Sequence, residues 1–478
     1  MLSFVKYCLI FLISTQLFSG VYFTDPVVTP PGSPDLSFSG QNASVPQIAT
    51  DTRGKYVYAV WRRNDGVSEI IQIAVSDDYG QTWGNSINLS SSGQNAGLVQ
   101  IATDISGKYI YVIWNIIDRI QISKSDDYGL NWSDPIDISI PPEPVALQSQ
   151  IATDASGKYI YAAWLSFDGS NLRIKTVHSD DYGQNWSIPI YLSDPGMDAT
   201  LPQITVDSSG TYVYVIWRQD VGAGNSAIQA VSSDDHAQNW SIPINLSASD
   251  QFATDPQIAL NSSGRYIYAI WSRFDGSNDI IQTAHSDNYG QTWSSPIDLS
   301  LLGLSASGPQ ISVESSGGYV YTAWSIFDGS NSIIQTANSD DYGQTWNNPI
   351  TTPSGISPNL SALGQSATSA QISADDSGRY INALWMIFDE EGNSIIQAAN
   401  SEDYGQSWRN PISTPSGIIP NLSVSGQSSS ESQLIVNSNG KYVYAIWNRF
   451  DGSNNIIQIA VGGVKKVFFP VIIFPGAR

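Results

Sequence analysis

The side chains best suited to ligand chemistry are acids and amides that recur in one short loop. The loop has the sequence Phe-Asp-Gly-Ser-Asn in four places and a related Asp-Gly sequence in a fifth. Asp-Gly is a common hairpin signal, so these loops can be plain turns. Alternatively, a ring of acids and amides could bind a sugar, a cation or a partner protein. The candidate ligand-binding acids are Asp65, Asp168, Asp275, Asp328 and Asp451.

Five arginines interrupt the regular pattern, and guanidinium groups bind carboxylates well. Each follows a tryptophan directly or after one residue: Arg62, Arg63, Arg218, Arg273 and Arg449. They fall in the first, fourth, fifth and eighth copies of the repeat described below. In a closed ring of eight copies they would form two anion-binding patches, one of them made by Arg62, Arg63 and Arg449. The alternative is that each guanidinium is solvated beside an aspartate.

The histidines do not suggest a metal site. His178, His236 and His285 are too scattered along the chain to supply a tetrahedral set of ligands. The acidic turns also lack the terminal glutamate of a helix–loop–helix calcium site. We therefore predict no metal and no cofactor.

A second motif, Ser-x-Asp-x-Gly-x-Thr-Trp, occurs seven times with some substitutions. Its aspartate can accept backbone N–H groups within a tight hairpin, and its glycine permits a left-handed backbone. Its tryptophan can pack beneath the turn. We predict a structural role for Ser76, Asp78, Gly80, Trp83, Asp127, Trp132, Asp181, Trp186, Asp341, Trp346, Asp403 and Trp408.

Both motifs belong to a repeat of roughly 50 to 60 residues, which is in the range of propeller blades. In the first copy, alternating residues predict strands at 46–50, 56–61, 70–75 and 87–90, with a loop over 62–69. Four antiparallel strands per copy make one blade. The glutamines that open the eight copies are Gln47, Gln100, Gln150, Gln203, Gln257, Gln310, Gln371 and Gln433.

The sequence thus predicts an all-β fold, a single β-propeller of eight four-stranded blades over residues 35–463. The eighth copy ends after its third strand, and residues 35–40 resemble the outer strand of the first copy. We expect that N-terminal strand to close the ring, which removes an exposed sheet edge. The rival segment is Val467 to Phe474 in the apolar C-terminal tail, residues 464–478, although Pro470 disfavours a central strand.

The Ser-x-Asp turns resemble the Asp box of sialidases, sortilin-type receptors and related propellers. The resemblance implies that these turns are structural and lie opposite the functional face. A sialidase of this kind uses three arginines, a Tyr–Glu pair and an Asp acid/base. Glu69, Glu390 and Glu391 are the acids that could join such a pair. The family's Phe/Tyr-Arg-Ile-Pro motif is absent from this sequence, and family sialidases have six blades rather than eight.

The aromatic residues favour a repeated core over a sugar platform. Of the 15 tryptophans, eight lie in the predicted second strands and seven close the Ser-x-Asp turns, so none is left over. This census weighs against sialidase activity, because an active site would break the repeat.

The net charge of -22, without basic clusters, disfavours nucleic acid and anionic membranes as partners. Residues 1–20 resemble a secretory signal peptide, with Lys6 before an apolar stretch and small residues at its end. The stretch is too short for a convincing membrane span. We expect a secreted or cell-surface monomer that binds a glycan or an extracellular protein. The alternatives are an exo-sialidase-type glycoside hydrolase and a structural surface protein.

Overall fold

A computed structural model of the protein describes residues 21–23, 35–37, 40–347, 351–352, 355–356, 360–362, 364–409, 413–414, 417–418, 421–423 and 426–464. The predicted signal peptide and the predicted tail beyond Val464 lie outside these residues. The described part of the chain is all-β and contains no helix long and apolar enough to cross a membrane.

Each of the eight copies, called repeats 1 to 8, forms an antiparallel sheet with the strands in chain order. The inner strands are Ala43–Thr50, Val99–Thr103, Ala146–Thr153, Ala199–Val206, Phe252–Leu260, Ala306–Val313, Ala367–Ala374 and Ser429–Val436. The second strands are Val57–Asn64, Ile110–Ile116, Ile160–Phe167, Val213–Gly222, Ile267–Phe274, Val320–Phe327, Ile381–Phe388 and Tyr442–Phe450. The third strands are Glu69–Ser76, Arg119–Ser125, Leu172–Ser179, Asn225–Ser233, Asp279–Ser286, Ser332–Ser339, Ser394–Ser401 and Asn455–Val464.

The outer strands of repeats 1 to 5 are short: Ile87–Asn88, Ile136–Asp137, Ile190–Tyr191, Ile244–Asn245 and Ile297–Asp298. Two small hairpins follow repeats 6 and 7, formed by Thr351–Thr352 with Gly355–Ile356 and by Ser413–Thr414 with Gly417–Ile418. Four-stranded antiparallel sheets of this kind are consistent with a propeller.

Large aromatic side chains form the cores between neighbouring sheets. The eight second-strand tryptophans are completely buried. Trp61, for example, packs against Ile446 and Ile457 of repeat 8, while Tyr58 on the opposite side of the strand packs against Val112 of repeat 2. Because side chains alternate across a strand, each second strand serves two cores.

The second strands are longer than the sequence predicted. In repeat 1 the strand continues to Asn64, so Arg62 and Arg63 lie within the strand and the loop shrinks to residues 65–68. The prediction of a loop over 62–69 was wrong because the backbone of these arginines pairs with Ile71 and Ile70 on the third strand. The predicted outer strand at 87–90 is likewise only two residues long.

The Ser-x-Asp turns are closed by side-chain hydrogen bonds. In the first turn, Asp78 accepts the Thr82 N–H at 2.8 Å and the hydroxyls of Ser76 and Thr82 at 2.9 and 2.6 Å. Tyr79 and Gly80 have left-handed φ values of 66° and 76°. In the fifth turn an asparagine replaces the aspartate and still accepts the Thr292 N–H at 3.0 Å.

The turns and loops lie at opposite ends of the strands and define two faces. The Tyr79 N–H donates to the Lys55 carbonyl at 3.0 Å, which places the Ser-x-Asp turn beside the turn between the first two strands. We call this end the turn face. At the other end, Ser68 in the second-to-third loop accepts the Gly93 N–H from the next connection at 2.7 Å. This end is the loop face.

Successive repeats are joined along their inner strands, and the first repeat also contacts the last. Each inner strand lies against the inner strand of the next repeat, and that of repeat 1 lies against that of repeat 8. Tyr444 donates its hydroxyl to the Gly54 carbonyl at 2.6 Å, and Tyr79 stacks on Tyr442 with ring centroids 4.6 Å apart.

The N-terminal residues pair with the third strand of repeat 8. Asp35 forms a bridge with Gln458, and the Leu36 N–H donates to the Ile457 carbonyl at 2.7 Å. Val21–Phe23 pairs antiparallel with the end of the same strand, from Gly462 to Val464.

Candidate functional site

The loop face carries a cleft of about 770 Å³ between repeats 4 and 5. A volume of this size falls in the range of small-molecule sites. Its wall combines two phenyl rings with acids and amides, contributed by Asn225, Asp250, Phe252, Phe274, Asp275 and Asp279.

Backbone pairing between the two repeats holds the cleft together. Ser226 on the third strand of repeat 4 pairs in parallel with Phe252 at the start of repeat 5. The Ser226 N–H donates to the Gln251 carbonyl at 3.2 Å, and its hydroxyl donates to the Ala253 carbonyl at 2.6 Å. These bonds fix the position of Phe252, because they flank it on both sides.

Phe252 and Phe274 form the aromatic part of the wall. They lie opposite each other on adjacent strands, so their side chains share one face of the sheet. Phe274 is 40% exposed, which leaves its ring available to a ligand. The guanidinium of Arg218 lies over the Phe252 ring, 4.9 Å from its centroid.

Three aspartates give the cleft its negative charge. Asp275 accepts the N–H groups of Ser277 and Asn278 at 2.8 Å, and these backbone bonds, led by that of Asn278, lower its pKa. Asp250 is exposed and Asp279 is half-buried. Ionised carboxylates only accept hydrogen bonds, so the cleft is built to receive donors such as hydroxyl or ammonium groups.

The two arginines near the cleft are engaged by acids. Arg218 donates to Asp220 at 2.8 Å. Arg273 is buried, and its guanidinium lies 3.5 Å from Asp298 on the outer strand. Repeats 4 and 5 therefore bring Arg218 and Asp275 to the cleft. The charges of Arg218 and Arg273 are balanced by Asp220 and Asp298.

The arginines of repeats 1 and 8 also have partners of their own. Arg62 donates to the Ser44 hydroxyl at 3.0 Å and lies 3.6 Å from Glu69. Burial lowers the pKa of Arg63, and the charge of Asp65 opposes that shift. Arg449 is paired with Asp35 at 3.2 Å, where both side chains are largely buried. The patch of Arg62, Arg63 and Arg449 stays a prediction.

The loop acids act mainly as turn acceptors. Asp168, Asp328 and Asp451 each accept two backbone N–H groups at 2.8 to 2.9 Å, as Asp275 does. Asp65 does the same, although its lowered pKa is due chiefly to the Ser92 hydroxyl. Of these five acids, Asp275 is the one that lines the cleft.

In the part of the chain that the structure describes, no three metal-ligating side chains come together as a possible metal site. His178 and His285 occupy the same position on the third strands of repeats 3 and 5. Burial lowers the pKa of both imidazoles.

Sequence reasoning missed most of the cleft, including Asn225, Asp250, Phe252 and Asp279. One signal was available. Phe252 directly precedes the small residue Ala253, and most other repeats carry a polar residue at the equivalent position: Asn42, Asp198, Ser305, Ser366 and Ser428. The second-to-third loop of repeat 4 also departs from the Phe-Asp-Gly-Ser-Asn pattern.

No protein-family model matches this chain, and no curated protein matches it. Among solved structures, the leech intramolecular trans-sialidase is similar at 12% identity and a TM-score of 0.40, with 94% of each chain covered. The NanB sialidase of Streptococcus pneumoniae has 11% identity and a TM-score of 0.36, covering 93% of this chain and 94% of that one. A PL25 ulvan lyase has 11% identity and a TM-score of 0.47, covering 74% and 90%.

Proposed function

We propose that the protein is a secreted β-propeller of the sialidase-like kind, with eight blades in a closed ring, that binds a non-anionic glycan outside the cell. The observation that carries this proposal is the cleft between repeats 4 and 5. It combines an exposed phenyl ring with carboxylate and amide acceptors in a volume suited to a sugar.

The closed ring is supported by the contacts between the first and last repeats. Tyr444 reaches Gly54, Glu431 accepts the Val45 N–H at 2.6 Å, and residues 35–37 supply the position that outer strands occupy in other repeats. The hydrogen-bonded Ser-x-Asp turns fit the structural role that the resemblance to Asp boxes implies.

The chemistry of the cleft favours a hydroxyl-rich ligand without negative charge. A phenyl ring offers a flat apolar surface to the C–H face of a sugar ring. Asp250, Asp275 and Asp279 accept hydrogen bonds from hydroxyl groups and attract an amino sugar. The same three acids, on a chain of net charge -22, repel a sialic acid carboxylate.

The sialidase alternative would need three arginines free to hold a substrate carboxylate. Arg62, Arg218, Arg273 and Arg449 each have an acid within 3.6 Å, so their charges are already balanced. Hydrolysis of a fluorogenic sialoside by the full chain tests this alternative directly. We expect no turnover. Turnover that is abolished when Arg62, Arg63 and Arg449 are changed to alanine would replace the binding proposal with the enzymatic one.

A glycan array tests the binding proposal itself. The purified full chain should retain neutral or amino-sugar glycans and should not retain sialylated ones. A Phe252→Asn variant, which places the residue of repeat 1 at this position, should lose that retention. The proposal fails if the folded wild-type chain retains no glycan, or if it retains sialylated glycans preferentially.

A further inference from the structure

A groove recurs on the turn face, between the third and outer strands of one repeat and the Ser-x-Asp turn of the next. Its volume differs greatly among the repeats. It is about 530 Å³ between repeats 1 and 2, about 240 Å³ between repeats 2 and 3, and about 10 Å³ between repeats 4 and 5. Among these three grooves, the one between repeats 1 and 2 has the size of a small-molecule site, and the other two are narrower.

Gly84 is one reason why the first groove is wide. In repeats 2 to 5 the equivalent residue is a serine whose hydroxyl accepts an N–H from the facing third strand. The Ser133 bond to the Lys124 N–H measures 3.1 Å, and the Ser241 bond to the Ser232 N–H measures 3.0 Å. Gly84 carries no side chain at this point, so the floor of the first groove is open.

The facing strand adds to the difference. In the second groove the side chain of Lys124 crosses the space and donates to the Tyr182 carbonyl at 2.7 Å. The equivalent residue in the first groove is Val75, which is too short to cross it. In repeat 2 the lysine side chain thus occupies part of the groove, and in repeat 1 the equivalent space is open.

The far wall of the first groove also departs from the repeat. Leu130, which is 78% exposed, stands where the other six Ser-x-Asp turns have glutamine. Gly84 and Leu130 thus place two departures from the repeat on opposite sides of this groove.

The lining combines aromatic surface with polar groups. Tyr56 and Tyr128, both partly exposed, stack on each other with centroids 4.5 Å apart at one end, and the largely buried Trp83 also borders the groove. Asp77 and Asn85 are exposed at the edge and can hydrogen-bond to a ligand. Aromatic walls with a few polar groups are typical of small-molecule sites.

We propose that the groove between repeats 1 and 2 is a second ligand site, which binds a neutral sugar unit. The aromatic lining offers stacking surface, Asp77 and Asn85 offer partners for hydroxyl groups, and the acidic charge of the chain excludes anionic sugars. The groove opens on the turn face, whereas the cleft between repeats 4 and 5 opens on the loop face. A chain with both sites can bridge two glycan strands, and simultaneous engagement raises avidity without new contacts.

The test replaces Gly84 and Leu130 with the serine and glutamine that repeats 3 to 5 carry at these two positions. Gly84 does not have a left-handed backbone, and a Cβ built on it would meet its nearest atom, the Val75 carbonyl oxygen, at 3.5 Å, an ordinary contact. The double variant Gly84→Ser/Leu130→Gln should therefore fold normally and narrow the groove. The matched control is Gln184→Leu, which makes the converse exchange at the Ser-x-Asp turn of repeat 3.

Binding is measured by saturation-transfer NMR and calorimetry with lactose, maltose, cellobiose and diacetylchitobiose on the full chain. We expect at least one of these sugars to bind at the groove, the double variant to weaken that binding at least tenfold while binding at the cleft persists, and the control to leave both unchanged. The inference is overturned if none of the four sugars binds the wild type, or if the folded double variant binds like the wild type. It is also overturned if Leu130→Gln abolishes self-association of the chain without affecting sugar binding.

The cleft on the loop face and the groove on the turn face can be tested separately. A Phe274→Ala variant removes part of the cleft on the loop face and leaves the groove intact. If Phe274→Ala loses all sugar binding and the double variant does not, the proposed function is supported and the groove site is refuted. If the double variant loses all sugar binding and Phe274→Ala does not, the groove site is supported and the cleft is refuted as a sugar site.

Discussion

Changing Tyr444 to phenylalanine tests whether the first and last repeats are joined as firmly as internal neighbours. The Tyr444 hydroxyl is buried and donates to the Gly54 carbonyl at 2.6 Å, and burial raises the pKa of this phenol above its ordinary value. Tyr111 makes the same bond to Gly157 between repeats 2 and 3, also at 2.6 Å. Phenylalanine keeps the ring and removes only the donor, which leaves a buried carbonyl without its partner.

The loss should be about 1–3 kcal/mol for each variant, the usual penalty for an unsatisfied buried polar group. For a chain of this length each kcal/mol corresponds to a shift in Tm of roughly 1–2 °C, by extrapolation from smaller domains. Urea unfolding and thermal scans of Tyr444→Phe and Tyr111→Phe should give equal losses. A full loss for Tyr111→Phe beside no loss for Tyr444→Phe would refute the closed ring.

Three further predictions concern stability. Asp78→Ala should lower the free energy of unfolding by about 1–3 kcal/mol in urea, and Asp78→Asn by less, because an amide still accepts the turn N–H groups. Burial lowers the folded-state pKa of His178 and His285, so the stability that their neutral forms contribute is fully present above the unfolded-state pKa near 6.5 and is lost as the pH falls below it. Thermal scans should therefore give a lower Tm at pH 5 than at pH 7.5. The His178→Gln variant should show a smaller difference between the two Tm values. The buried side-chain amide of Asn382 has no hydrogen-bond partner, whereas the seven other repeats carry at this position a tyrosine whose hydroxyl is hydrogen-bonded. Changing Asn382 to tyrosine should therefore raise Tm.

The repeated part of the fold could be predicted from sequence because residues close together in the chain determine it. The Tyr-x-Tyr-x-x-Trp pattern marks the second strand in seven of the eight repeats, and the seventh repeat keeps the first tyrosine and the tryptophan. The aromatic and aliphatic residues from Val57 to Trp61 predict a strand that is buried on both sides, as the structure shows. The side-chain hydrogen bonds that close the Ser-x-Asp turns join residues at most four positions apart, so the residue types of the turn suffice to predict the hairpin.

Other features depend on partners distant in the chain. Arg62 and Arg63 lie in a strand because the third strand pairs with them, which no local preference of arginine indicates. The inner strands contain a bulge in which Val45, a β-branched residue, has a φ of 53°. The Val45 N–H is bound by Glu431, 386 positions away, and sequence alone does not bring these two residues together.

The candidate site was the least predictable part. Sequence reasoning found Asp275 from its loop motif and Arg218 from its place after a tryptophan. It did not find Phe252 or Asp250, because these residues belong to the connection between two repeats and gain a role only when Ser226 pairs with Phe252. Comparing residues at equivalent register positions, rather than searching for motifs, would have singled out Phe252.

The most direct test of the central claim is calorimetry of the best glycan from the array with Phe274→Ala and with Phe327→Ala. Phe327 has the same place in repeat 6 and is 47% exposed, against 40% for Phe274, so the two variants remove equivalent rings. We predict that Phe274→Ala weakens binding at least tenfold and that Phe327→Ala leaves it unchanged. Equal affinities for the wild type and both variants would contradict the assignment of the cleft between repeats 4 and 5 as the glycan site.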